Sequence, residues 1–148
     1  MANYQPLQKN AGNTLTINQP SIYFHPKTIS MRDFRKLEIW KRSILFAQTI
    51  HQVTCTLPGH ERYALAVQMN RAVVSLASNI AEGCGRHTKP DLIRFIHISI
   101  GSAFELETQI EICYLNGYIQ TATHRNLISD VQEIQKMMRA FVGVVNGS

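Results

Sequence analysis

Cysteine is scarce in this chain and poorly placed for structural work. Cys55, Cys84 and Cys113 are odd in number, widely spaced and never form a Cys-x-x-Cys pair. That pattern argues against a disulfide framework and against a cysteine-rich zinc site. Long apolar runs are missing too, since none approaches the roughly 20 residues of a membrane-spanning helix, so no membrane association is expected. The N-terminus lacks the basic-then-apolar pattern of an export signal, and a reducing cytoplasm is the expected compartment. No Glu has His three positions later, the spacing that a ferritin-like carboxylate metal site needs. His51 and Cys55, one helical turn apart, make only two ligands. His97 has no Ser or Cys nucleophile arranged around it, and Cys84 reads as an inert thiol. No metal, no cofactor and no catalytic residue is expected; the chain reads as a non-enzyme.

Acidic residues are the minority. Fifteen Lys and Arg face ten Asp and Glu over 148 residues, for a net charge of +5. Residues 61–148 hold eight of each sign, so the whole excess lies in residues 1–60. There Lys9, Lys27, Arg32, Arg35, Lys36, Lys41 and Arg42 stand against Asp33 and Glu38 alone. A patch of this kind at the start of a helix is either a solvated helix end or a surface for a polyanion such as RNA or DNA.

Strand-like alternation is also absent from residues 31–148. Residues 1–30, rich in Asn, Gln, Thr and Pro, have no helical period and read as a flexible N-terminal extension. From Asp33, an expected N-cap, Leu37, Trp40, Ile44, Ala47, Ile50 and Val53 recur at three- and four-residue steps, the mark of an amphipathic helix. Pro58-Gly59 ends it. A second helix carries Leu65, Met69, Ala72, Leu76 and Ile80 and is expected to stop at Gly83, as a left-handed C-terminal residue. A third begins at Thr88, with Asp91 three positions on and Pro90 in its first turn, and runs to Gly117. A fourth follows through Leu127, Val131, Ile134, Met138, Phe141 and Val145. Short connections make sequential helices neighbours. The expected fold is all-α: an antiparallel up-down-up-down four-helix bundle over residues 31–146.

The stretch Gly83-Cys84-Gly85-Arg86 resembles a phosphate-cradling loop at first sight. It has no preceding strand, no Gly-Lys-Ser/Thr ending and no third glycine, so it is read as an interhelical turn. Arg86, Lys89 and Arg94 beside it, with the free N–H groups opening the third helix, leave room for an anion there, although Asp91 opposes one.

The middle helices carry more apolar surface than one core needs. Val67 and Val74 line up opposite the core stripe of the second helix, and Ile98 and Ile112 sit on the outer face of the third. Outer apolar columns point to a partner surface, most simply another copy of the chain. Glu107 falls inside the apolar arc and is expected to take Arg62 or Tyr63 of the second helix as its partner, a polar tie fixing register. Asn79 reads likewise as a structural hydrogen-bonding residue.

Four segments then carry a resemblance: "FRKLEIWKRSILFA", "ERYALAVQMNRAVVSLASNIAEGCGR", "KPDLIRFIHISIGSAFELETQIEICYLNGYI" and the terminal helix. Over about residues 32–142 the chain resembles the bacterial four-helix bundle proteins, which include those encoded by intervening sequences inside large-subunit ribosomal RNA genes. Ser78 to Gly83 and Gly101 to Thr108 are the most specific pieces. The resemblance implies a non-enzymatic bundle that assembles into a ring, usually a homopentamer, and is suspected of binding nucleic acid. The accessory variability determinant protein of diversity-generating retroelements is similar at greater distance, and implies a basic partner of a reverse transcriptase and its RNA. The turn here is less basic than the family's, with His87 and Pro90 diluting it and Cys84 where an aromatic is common. That moves the expected nucleic-acid surface toward Arg32, Arg35, Lys36, Lys41 and Arg42. A protein-docking adaptor, for example for a reverse transcriptase, without direct nucleic-acid contact is the alternative.

Overall fold

Residues 32–147 are described by the computed structural model; the extension expected over 1–30 lies outside them. Four long helices follow one another: α1 (Glu38–Cys55), α2 (Leu65–Cys84), α3 (Lys89–Leu115) and α4 (Thr121–Asn146), with short 3-10 turns at Phe34–Lys36 and Gly59–Glu61. No strand occurs among the described residues. Each helix packs on its neighbours in sequence, and α4 closes on α1, giving the antiparallel four-helix bundle. The most extensive contact joins α2 and α3, and α1 meets α4 most sparingly.

The three-four pattern puts one stripe of each helix in the interior. Ile50, Met69, Leu76, Ile96, Leu106, Val131 and Met138 are all buried to within 1 % of completely. Each such side chain contributes roughly 1.5–3 kcal/mol of hydrophobic stabilisation. Hydroxyls tie the central hairpin across the seam. Ser99 Oγ donates to the Leu76 carbonyl at 2.5 Å, and Ser75 and Ser102 share a hydrogen bond of 2.9 Å. Asn79 donates to the Ser75 carbonyl at 2.8 Å and to its hydroxyl at 3.1 Å, so it extends that tie along α2.

Helix ends follow local chemistry. Thr88 Oγ1 accepts from the Asp91 N–H, the N-cap half of the expected capping box; the Asp91 carboxylate accepts from the Thr88 hydroxyl at 2.6 Å rather than from its backbone N–H. Ala64 has no side chain to cap α2, and Glu61 Oε2 instead accepts from the Leu65 N–H at 3.3 Å. At the end of α3 the Tyr118 N–H reaches the Cys113 carbonyl and the Gly117 N–H reaches that of Tyr114. This double return needs Gly117 at φ +70°, where glycine has no side chain to clash.

Three expectations are corrected. Asp33 caps the 3-10 turn rather than α1, because Leu37 is extended (ψ 125°) and breaks the chain before the long helix starts. Gly83 is not the left-handed end of α2. It sits within the helix, buried, and a Cβ there would come within 3.0 Å of Phe95 Cβ and 3.2 Å of Leu92. It is glycine for close packing of α2 on α3. Glu107 takes its partners from α4, not α2: Gln132 donates to it at 2.8 Å and Gln135 at 2.6 Å. Arg62 and Tyr63 are both exposed, Tyr63 by 85 %, and neither bonds Glu107.

Candidate functional site

Up-down alternation gathers the start of α1, the α2–α3 turn and the end of α4 at one end of the bundle. The two basic groups, more than 40 residues apart in sequence, therefore share that end. Arg32 spans it. Its guanidinium lies 5.7 Å from the Phe141 ring centroid near the end of α4. It also acts on Cys84 at the end of α2: burial pushes that thiol's pKa up, and the Arg32 charge partly offsets the rise. Arg35 and Lys36 follow on the 3-10 turn, and Lys41 and Arg42 within the first two turns of α1. Arg86, Lys89 and Arg94 come from the α2–α3 turn and the start of α3. All of these but Arg32, which is half-buried, are exposed.

The charges at this end do not cancel. Asp33 pairs with Arg35 at 3.5 Å, Glu38 with Lys41 at 3.7 Å, Asp91 with Arg94 at 3.9 Å, and Glu82 with Arg86. Each carboxylate answers one nearby cation. Among the described residues, Arg32, Lys36, Arg42 and Lys89 are left with no carboxylate partner. All four pairs are exposed, so each is worth little and its cation can exchange its carboxylate for another anion.

Aromatic rings stiffen the patch, and the pattern of charges alone did not reveal them. The Arg35 guanidinium lies 4.8 Å from the Phe34 centroid, and Phe34 meets Trp40 edge to face at 5.0 Å. Arg86 and Arg94 both lie over Phe95. Cation–π contact of this sort holds a guanidinium by roughly 0.5–1 kcal/mol at exposed sites. The sequence signals were the adjacency of Arg35 to Phe34 and of Arg94 to Phe95; Arg86 reaches the second ring only because α2 and α3 pack closely. At the α3 N-terminus, considered above as an anion site, the Asp91 N–H is taken by the Thr88 hydroxyl, the Leu92 N–H by the Thr88 carbonyl, and Pro90 has none to offer.

The opposite end has a different character. Glu61 accepts from the Tyr118 hydroxyl at 3.2 Å, His60 Nε2 lies 3.3 Å from the same hydroxyl, and His124 Nε2 meets Glu111 at 2.8 Å while stacking on Tyr114. The Tyr118 contacts tie the α1–α2 and α3–α4 connections together, and the His124 contacts tie the start of α4 to the end of α3. Among the described residues no three His, Cys, Asp or Glu converge as a metal cluster, and no helix is long and apolar enough to cross a membrane. His51 and Cys55 line a shallow recess of about 260 Å³ with Arg62 and Asn70.

On the outer faces, Val67 is 39 % exposed, Val74 59 %, Ile98 42 % and Ile112 41 %. They stay in contact with solvent as their helical positions predict, on the two helices of the best-packed hairpin.

The family model described as 23S rRNA-intervening sequence protein matches residues 35–140. Among solved structures, a protein of unknown function from the S23 ribosomal protein family of Bacteroides thetaiotaomicron is similar in fold. Its TM-score is 0.66 at 23 % identity, over 70 % of this chain and 97 % of that one. No curated protein matches in sequence.

Proposed function

The chain belongs to the 23S rRNA-intervening sequence protein family, and we propose that it is a non-enzymatic, cytoplasmic helical bundle that binds RNA or DNA. Binding runs through phosphates at the basic end, with little base specificity. One observation carries this reading: eight Lys and Arg from two distant stretches meet at one end, and among the described residues the four local carboxylates match only half of them. A polyanion supplies the missing negative charge, and Arg and Lys are the side chains that recognise phosphate oxygen. Affinity for an RNA or DNA duplex measured across a salt series tests it. We expect log K to fall steeply and linearly with log salt; affinity indifferent to salt, or none at low salt, removes the reading.

The exposed aliphatics of α2 and α3 support a second element, self-assembly. Val67, Val74, Ile98 and Ile112 lie on outer faces while the core is complete without them. A ring of copies, a homopentamer as the resemblance implies, covers these faces and sets several basic ends side by side, which multiplies affinity by avidity. Docking of a protein such as a reverse transcriptase on the same faces is the competing use. A stoichiometric protein partner in a preparation free of nucleic-acid absorbance favours it.

A further inference from the structure

Arg86 and Arg94 stand on opposite sides of the α2–α3 turn, yet their guanidiniums lie 4.5 and 4.6 Å from the centroid of one ring, that of Phe95. Local pairing does not require this. Glu82 precedes Arg86 by four residues and Asp91 precedes Arg94 by three, so each arginine can pair along its own helix face without meeting the other. What brings them together is packing. Gly83, with no Cβ to strike Phe95, lets the end of α2 settle on the start of α3. The Phe95 ring is 7 % exposed, so it is closed to a stacking base. Both arginines are already paired, each with its own exposed carboxylate, Glu82 or Asp91, so an anion accepting from both binds by exchange with weak surface pairs. Each guanidinium presents five N–H donors in a plane, more than a single carboxylate uses.

We infer that Arg86 and Arg94, held on Phe95, form one two-arginine clamp for a single backbone phosphate. Phe95 is a positioning residue that touches the arginines and not the ligand. This rests on the reading of the basic end as a nucleic-acid surface, and adds to the unpaired cations of that end a fixed phosphate contact at the α2–α3 turn. The exposed pairs with Glu82 and Asp91 hold the arginines ready when no ligand is bound and give way at little cost.

Duplex affinity of the full chain at fixed low salt tests the clamp through a mutant cycle. Arg86→Ala or Arg94→Ala alone is expected to weaken binding about tenfold, as when a charge-assisted hydrogen bond is removed. The double variant should be little worse than either, because a broken clamp has no second half to lose. Phe95→Leu keeps every charge; it should weaken binding similarly and make Arg86→Ala nearly silent, while Phe95→Tyr restores wild-type behaviour. Multiplying single effects, or a Phe95→Leu protein that melts earlier but binds normally, overturn the proposal. Should Phe95→Leu not fold, the arginine cycle decides alone. If the wild type binds no duplex, the nucleic-acid reading fails separately. Inorganic phosphate, followed by the Nε–H resonances of Arg86 and Arg94, still tests the clamp: both shifting with one midpoint support it, and one or neither shifting sinks it.

Discussion

Gln135 of α4, 4 % exposed, donates its side-chain amide to the Glu107 carboxylate of α3 at 2.6 Å, and Gln132 adds a second donor at 2.8 Å. The tie joins the α3–α4 pair much as Ser75–Ser102 joins α2 to α3. Removing the carboxylate leaves a buried amide without its acceptor, which costs about 1–3 kcal/mol. Glu107→Ala should lower the urea midpoint accordingly. Glu107→Leu combined with Gln135→Leu should recover most of the loss, since the unsatisfied donor goes as well.

Gly83→Ala is expected to destabilise despite the gain in helix propensity. The added methyl meets Phe95 Cβ at 3.0 Å and the Leu92 carbonyl at 3.2 Å. Overpacking of this kind costs roughly 1–3 kcal/mol, against about 1 kcal/mol that alanine gains over glycine in a helix. Thermal unfolding reads the net sign, which should be a lower Tm.

The three thiols should differ sharply. Cys55 is exposed and Cys84 and Cys113 are buried, so only Cys55 should react promptly with a thiol reagent in the native protein. Cys113 sits against Met69, its Sγ 3.6 Å from the thioether sulfur, and burial, with the Glu61 charge adding, pushes its pKa from 9.0 to about 11. The unfolded chain therefore gives up this proton first. The stability this thiol confers is complete below pH 9 and is lost as pH rises toward 11. Urea midpoints measured over that range should fall, and Cys113→Ala should flatten the decline.

Charged replacements on the outer faces should separate copies without unfolding them. Val74 and Ile98 are 59 % and 42 % exposed, so Val74→Lys with Ile98→Lys should leave the monomer's unfolding free energy within about 0.5 kcal/mol, the usual range for surface changes. Native mass measurement should then register a monomer in place of an assembly.

The bundle was legible because helical periodicity and turn chemistry agree along residues 33–146. Thr88 with Asp91 is the clearest example: one local motif placed the start of α3 correctly. What escaped depends on which neighbours a face meets. Glu107 lies on a flank that the hydrophobic pattern marks only as near the core, and α2 and α4 both border α3; only the packed bundle shows that α4 lies on that side. Gly83 looked like a turn residue because glycine serves both turns and close contacts, and one sequence does not separate the two. The basic end was half legible. Each group of cations was visible, but their meeting is a consequence of topology, and the rings under Arg86, Arg94 and Arg35 follow from side-chain packing.

Location, and not total charge, is the central claim, and one comparison isolates it. Replace Arg32, Lys36, Arg42 and Lys89 with Gln in one protein, and Arg62, Arg71, Arg125 and Lys136, which lie elsewhere on the bundle, in another. Both variants carry four fewer positive charges, so bulk attraction falls equally. Duplex affinity across a salt series should collapse in the first, its slope shrinking by up to about 0.9 for each phosphate no longer neutralised, and stay close to wild type in the second. Equal weakening in the two proteins would mean that nucleic acid senses only net charge and that the basic end is not the interface.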